Sequence, residues 1–174
     1  IWFYQLTVLS GRFEDLRRVF DRLGGGDLRI QAILIAFCFG GLLEALAGFG
    51  APVAITATMI LALGVKPLKA AVTVLLANTA PVAFGAVAVP ITTAGEVGGK
   101  DPHVIATIVG HQAPFLAMLV PLILLVILDG MKGLKDAWLP ALVIGVSFAI
   151  AQWVTAATPA YNLTDVVACI VSMG

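Results

Sequence analysis

The chain carries an apolar run from Ile30 to Val65 that would read as membrane helix, were it not interrupted at Gly48-Phe49-Gly50-Ala51-Pro52-Val53-Ala54. Two glycines and a proline in such a run break the helical hydrogen-bond ladder and leave backbone donors and acceptors without partners. Hydrocarbon offers those groups nothing, so an irregular segment at that depth must be buried in protein or line a wet cavity. A second break of the same kind follows at Asn78-Thr79-Ala80-Pro81-Val82-Ala83, and Ala-Pro-Val-Ala thus occurs once in each of two apolar segments. Paired interrupted segments are the sequence mark of a transporter's binding site.

Composition fixes the setting. Hydrophobic residues make up 60% of the chain and charged ones 11%, with a mean hydropathy of +1.05. Soluble domains hold roughly 45–50% apolar and about 25% charged residues, so this chain is expected to be all-α and to sit in a lipid bilayer. Its 10 basic and 10 acidic residues cancel, which leaves no basic footprint for nucleic acid. Cys38 and Cys169 lie in apolar runs without a CxxC or a neighbouring His and read as inert buried thiols. There is no metal-ligand spacing, catalytic triad or phosphate-binding glycine loop, so neither an enzyme nor a cofactor is expected. The chain starts and stops inside apolar runs, and is expected to be one partial transmembrane domain, 1–174, that requires the remainder of a longer polytopic chain.

Residues 1–9, with Trp2, Phe3 and Tyr4, read as the end of a spanning helix. Over 12–23, Phe13, Leu16, Val19, Phe20 and Leu23 recur at helical spacing against Arg12, Arg17, Arg18 and Arg22, the pattern of an interfacial amphipathic helix. Asp27 stands ready to cap the next helix. Residues 30–64 make about 27 Å plus about 20 Å of helix at 1.5 Å per residue, too long for one crossing of a ~30 Å core. Folding back at Gly48–Ala51 gives a re-entrant hairpin whose ends, Arg29 and Lys66, are both basic and hence cytoplasmic. Next come a broken helix over 68–94, a loop at 95–102, spanning helices over 104–128 and 137–157 joined by the lysine-bearing link 129–136, and the start of a further segment at 165–174. Ala113-Pro114 reads as a third interruption.

Glu44 is the only acidic residue well inside an apolar run before Asp165. Gly40, Glu44 and Gly48 lie four apart and share a helix face, so small residues there turn Glu44 toward protein rather than lipid. An ionisable group at membrane depth costs roughly 2.5–3.5 kcal/mol on insertion scales and is a functional candidate for that reason. Burial disfavours its charged form, which suits a proton carrier; the alternative is a carboxylate that caps the amides of the Gly48–Ala51 tip. Pro52 and Pro81 favour first helical positions, while Ala51 and Ala80 before them cannot cap. Each half-helix should therefore begin with free N–H groups and partial positive charge, a site for an anion; the alternative is a pair of hydrated proline kinks. Gly48 and Gly50 would let the backbone approach a ligand, and Asn78 and Thr79 add an amide and a hydroxyl beside the second break. His111 is a second proton candidate, or a satisfied interior histidine.

The segments Arg29–Glu44, Ala47-Gly-Phe-Gly-Ala-Pro-Val-Ala-Ile-Thr56, Lys66-Pro-Leu-Lys-Ala-Ala71 and Ala77-Asn-Thr-Ala-Pro-Val-Ala-Phe-Gly85 resemble the lactate permease family. So do His111-Gln-Ala-Pro-Phe115, Asp129-Gly130, Trp138-Leu-Pro-Ala141 and Gly145-Val-Ser-Phe-Ala149. The resemblance implies a bacterial or archaeal inner-membrane symporter that imports lactate, and often glycolate, with protons, and a wider superfamily of carriers with re-entrant hairpins, broken helices and elevator-like movement. Rival expectations are a carrier of another organic anion, perhaps sodium-coupled, and a non-transporting membrane subunit or channel.

Overall fold

The structure, a computed structural model, describes residues 12–48 and 50–174, with the side chains of 12–14, 16, 17 and 51 outside that description. The helix end expected at 1–9, the Phe13 and Leu16 side chains of the apolar stripe expected along 12–23, and Phe49 of the first break therefore lie outside the described residues. Every regular element among the described residues is helical.

Helix α1, Arg12–Leu23, ends at a glycine turn in which Gly25 and Gly26 take φ of 59° and 79°. Asp27 then caps α2, Leu28–Ala47, its carboxylate accepting the Arg29 N–H at 2.9 Å. The middle of α2, Leu34–Phe39, is π-helical, and the Gly40 N–H reaches back five residues to the Ile35 carbonyl. Short π segments inside α-helices hold one extra residue per turn and recur at functional sites. Helix α3, Ala51–Ala62, begins at Pro52, as expected. Antiparallel to α2, it brings Thr56 against Gly40, where an added Cβ would lie 3.4 Å from the Thr56 methyl. Helices α2 and α3 thus pack as a helical hairpin.

Helix α4, Pro67–Ala77, stops at Asn78. Here the structure departs from expectation. Pro81 starts only a three-residue 3₁₀ turn, Pro81–Ala83, followed by a second at Ala86–Ala88. The half-helix begins later, as α5, Val89–Gly98, with Pro90 in its first turn. A proline at either site suits a helix start; Gly85, at φ 60° and ψ −157°, stops the first from propagating.

Helix α6, Pro102–Ala156, is two arms joined by a bend at Asp129–Gly130 and Ala137. The arms run antiparallel, with Gly110 against Ala156 and Gly145 against the Met118 carbonyl. Glycine is needed at that second crossing because any Cβ would strike backbone. Pro114 sits inside the first arm without interrupting it, against expectation. Proline removes one backbone donor, but adjacent helices and local adjustment re-satisfy the freed carbonyl. A 3₁₀ turn, Tyr161–Leu163, leads into α7, Thr164–Met173.

The core forms around α2. Leu34 to Cys38 are buried, and Phe37 meets Phe148 of α6 edge-on with centroids 4.9 Å apart. The outward faces of α6 expose Phe115, Leu116, Val143 and Trp153. Leu28–Ala47, Pro81–Gly98 and Pro102–Ala156 are long and apolar enough to cross a membrane by length and composition. The chain is an all-α membrane protein.

At one end of the bundle the charges gather. Arg29 pairs with Asp27, Asp129 and Asp136 at 3.0, 3.1 and 3.1 Å, and Lys69 donates to the Leu128 carbonyl at 3.1 Å. The Arg29 guanidinium holds the Asp27 carboxyl below the usual range. The two ends of the hairpin and the 129–136 link therefore lie together, as the charge pattern anticipates.

Candidate functional site

The far tip of the α2–α3 hairpin meets the broken stretch between α4 and α5. Glycine makes the approach possible on both sides. Gly48 ends α2 at φ 64° and ψ −167°, and Gly85 takes φ 60° and ψ −157°. That region is essentially closed to residues with a Cβ. A Cβ on Gly48 would lie 2.8 Å from the Ala86 Cβ, and one on Gly41 would lie 3.8 Å from Pro81. The two interrupted segments thus run side by side along the second half of α2.

Between them lies a cavity of about 260 Å³, lined by Glu44 and Gly48 on one side and by Val82, Gly85, Ala86, Val89 and Pro90 on the other. Glu44 is only 6% exposed. Its Oε2 accepts the Gly50 N–H at 3.3 Å, so the carboxylate sits at the head of α3, where the helix dipole favours negative charge. Gly50, at φ 71° and ψ 5°, makes no side-chain cap, and neither does Ala88 ahead of α5. Two helix starts lacking a side-chain cap therefore flank the cavity region. The turn before α5 is strained: Val87 and Ala88 take φ of 47° and 55°. A β-branched residue in that conformation is an outlier, and such strain, roughly 1–3 kcal/mol per residue, gathers at ligand clamps and switch regions.

The other expected residues fall elsewhere. Thr79 and Ala80 line a different cavity of about 150 Å³, against Ala113, Leu116 and Val120 of α6. The Thr79 hydroxyl donates to the Leu76 carbonyl at 2.6 Å, and Asn78 caps the end of α4. Neither lines the Glu44 cavity. Pro81 is buried against α2, and Pro52 opens α3, its carbonyl accepting from the Thr56 hydroxyl at 2.9 Å. His111 faces outward: its Nδ1 meets the Thr107 carbonyl at 2.6 Å, its ring stands edge-on to Trp153, and it borders a separate apolar cavity with Phe115 and Met118. Gly85, Ala86 and Pro90 escape the sequence reading. Their signal was a further proline in an apolar run, Val89-Pro90-Ile91, five residues after Gly85.

Across residues 1–174 the sequence matches the family described as L-lactate permease. The chain belongs to that family. It is 49% identical over 173 residues to glycolate permease GlcA of Escherichia coli (strain K12), covering 99% of this chain and 31% of that protein. L-lactate permeases of Escherichia coli (strain K12) and Bacillus subtilis (strain 168) are 43% and 44% identical over the same length and shares. The chain thus spans about a third of the curated relatives it matches. No solved structure matches it. Permeases are transporters rather than enzymes, and the Glu44 cavity of this family member is framed by helix ends and glycines.

Proposed function

We propose that the complete protein is a secondary carrier bringing lactate, glycolate or a related 2-hydroxymonocarboxylate through the cytoplasmic membrane of a bacterium or archaeon, together with protons. The fragment supplies several of its passes, with the hairpin re-entrant, its Arg29 and Lys66 ends cytoplasmic and the loop 95–102 outside. The rest of the chain completes the pathway. Thiol labelling of a single cysteine placed at position 67 from the outside alone would defeat this orientation.

The observation that carries the reading is the contact between Glu44 and Gly50. A buried carboxylate already occupies an amide at the head of α3, where a substrate carboxylate would bind. Two such charges about 4 Å apart repel by about 4 kcal/mol at an effective dielectric of 20. A hydrogen bond to a charged group returns only about 1.5–3 kcal/mol. Repulsion wins, so substrate enters only when Glu44 takes up a proton and frees the Gly50 N–H. One protonation thereby couples to one bound anion. Asn78 and Thr79 do not line this cavity.

Labelled lactate and glycolate uptake by the complete protein in vesicles tests the function. Uptake should accelerate when the outside is made acid and should not respond to a sodium gradient alone. Sodium-driven uptake supports the rival anion carrier, and no uptake of either acid under any gradient removes the reading.

A further inference from the structure

Asp165 and Gln152 form a sealed polar pair that the site above does not use. Asp165, on the first turn of α7, is 2% exposed, and Gln152, on the second arm of α6, is 0% exposed. Gln152 Nε2 donates to Asp165 Oδ1 at 2.8 Å. Asp165 Oδ2 and Gln152 Oε1, both buried, have no hydrogen-bond partner among the described residues. Both are acceptors, and neither satisfies the other without a hydrogen. One proton on Oδ2 supplies it: the carboxyl donates to Oε1 while Oδ1 goes on accepting from Nε2, and a single hydrogen completes both groups.

Among the described residues, no cationic side chain stands in for that proton. The elements packed on α7 are α2, α6 and the turns at 86–88 and 161–163. They bring Cys38 and Glu44 from α2, His103 and His111 from α6, and Tyr161, beside Cys169 of α7 itself. His103 is engaged with the Ala157 carbonyl at 3.3 Å and the Tyr161 ring, and His111 with Thr107 and Trp153. Arg29, Lys132 and Lys135 belong to the opposite end, with Asp129 and Asp136; Gln152 stands about 22 Å along the arm from Ala137 at 1.5 Å per residue. Among the described residues, no ion pair reaches Asp165.

We propose that Asp165 is a second proton-holding group of the carrier, neutral while sealed against Gln152 and ionised when the α6–α7 contact opens to water. The step is a simple dissociation: the carboxyl O–H bond breaks, the electron pair stays on Oδ2 and the proton passes to water. Its coupling role rests on the proton-linked reading above, but its residue and its place in the fold are different ones.

Infrared difference spectroscopy on the purified full-length protein tests the protonation by itself. The C=O stretch of a protonated carboxyl should be present at neutral pH, disappear in Asp165→Asn and persist in Glu44→Gln. Asparagine presents an N–H and a C=O to Gln152, so it reproduces the neutral pair and preserves packing. In vesicles, Asp165→Asn should lose at least about tenfold in gradient-driven accumulation, the equivalent of one pH unit, and keep lactate exchange. A missing band in the wild type overturns the proposal, and a missing band with sodium-dependent uptake makes the two oxygens a cation site instead. A band with undiminished driven uptake in Asp165→Asn makes the carboxyl a packing element and overturns its coupling role. Wild-type protein that transports neither acid defeats the parent reading, and the band still decides whether the pair holds a proton.

Discussion

Glu44→Gln in the full-length carrier is expected to abolish lactate accumulation driven by a pH gradient while leaving exchange of internal for external lactate intact. With no substrate bound, the glutamine carbonyl can accept the Gly50 N–H that Glu44 holds at 3.3 Å, and being neutral it yields that N–H to a substrate carboxylate. What disappears is the charge that excludes substrate, and with it the need for a proton. With one proton per anion, a difference of one pH unit sustains about tenfold accumulation, because one unit is worth 1.36 kcal/mol. In the variant that ratio should fall to about one. On the proposed coupling, lactate should bind more tightly to the wild type as pH falls, and the variant should lose that dependence. Tenfold accumulation surviving in Glu44→Gln would mean that Glu44 only caps the tip.

Gly48→Val should be the most damaging single change at the site. Gly48 stands at φ 64° and ψ −167°, where a side chain costs roughly 1–3 kcal/mol. Its Cβ would lie 2.8 Å from the Ala86 Cβ, and overpacking of that kind adds roughly 1–3 kcal/mol. Together the two terms rival a sizeable part of a domain's net stability of about 5–15 kcal/mol. Gly50 is the control. It sits at φ 71° and ψ 5°, and a Cβ placed there would meet nothing within 4 Å; asparagine tolerates that left-handed region. Thermal unfolding in detergent and lactate uptake should therefore collapse for Gly48→Val and stay close to wild type for Gly50→Asn. Near-normal uptake by Gly48→Val would show that the hairpin tip and the Ala86 turn need not touch.

The parts of this arrangement legible in sequence are those governed by local chemistry. Glycines and a proline inside an apolar run announce the hairpin tip, Pro52 announces the start of α3, and Gly40, Glu44 and Gly48 announce a packed face. The charges at Arg29 and Lys69 announce which ends belong together, because membrane orientation is written in basic residues. Where two local signals are alike, the sequence does not rank them. Pro81 and Pro90 both suit a helix start, and the choice falls on Pro90 because Gly85 and the strained Val87–Ala88 turn intervene. Pro114 reads as a break but lies within a helix that its neighbours hold together. The place of Asn78 and Thr79 outside the Glu44 cavity depends on how α4 lies on α6, which no local pattern encodes. Asp165 and Gln152, 13 residues apart across a turn, become a pair only when α7 folds back on α6.

The π-helical stretch at Leu34–Phe39 sets the angular phase of everything beyond it. A regular helix turns each residue by about 100°, so a single insertion or deletion ordinarily swings every later side chain to another face. Here one surplus residue is absorbed within the wide turn that carries the Gly40 N–H back to Ile35. Removing one residue from this turn would leave a plain α-helix with Glu44 still aimed at the cavity. The same deletion between Gly40 and Leu43 would rotate the carboxylate away from Gly50. Two stretches of one helix, a few residues apart, thus respond in opposite ways to the same one-residue deletion.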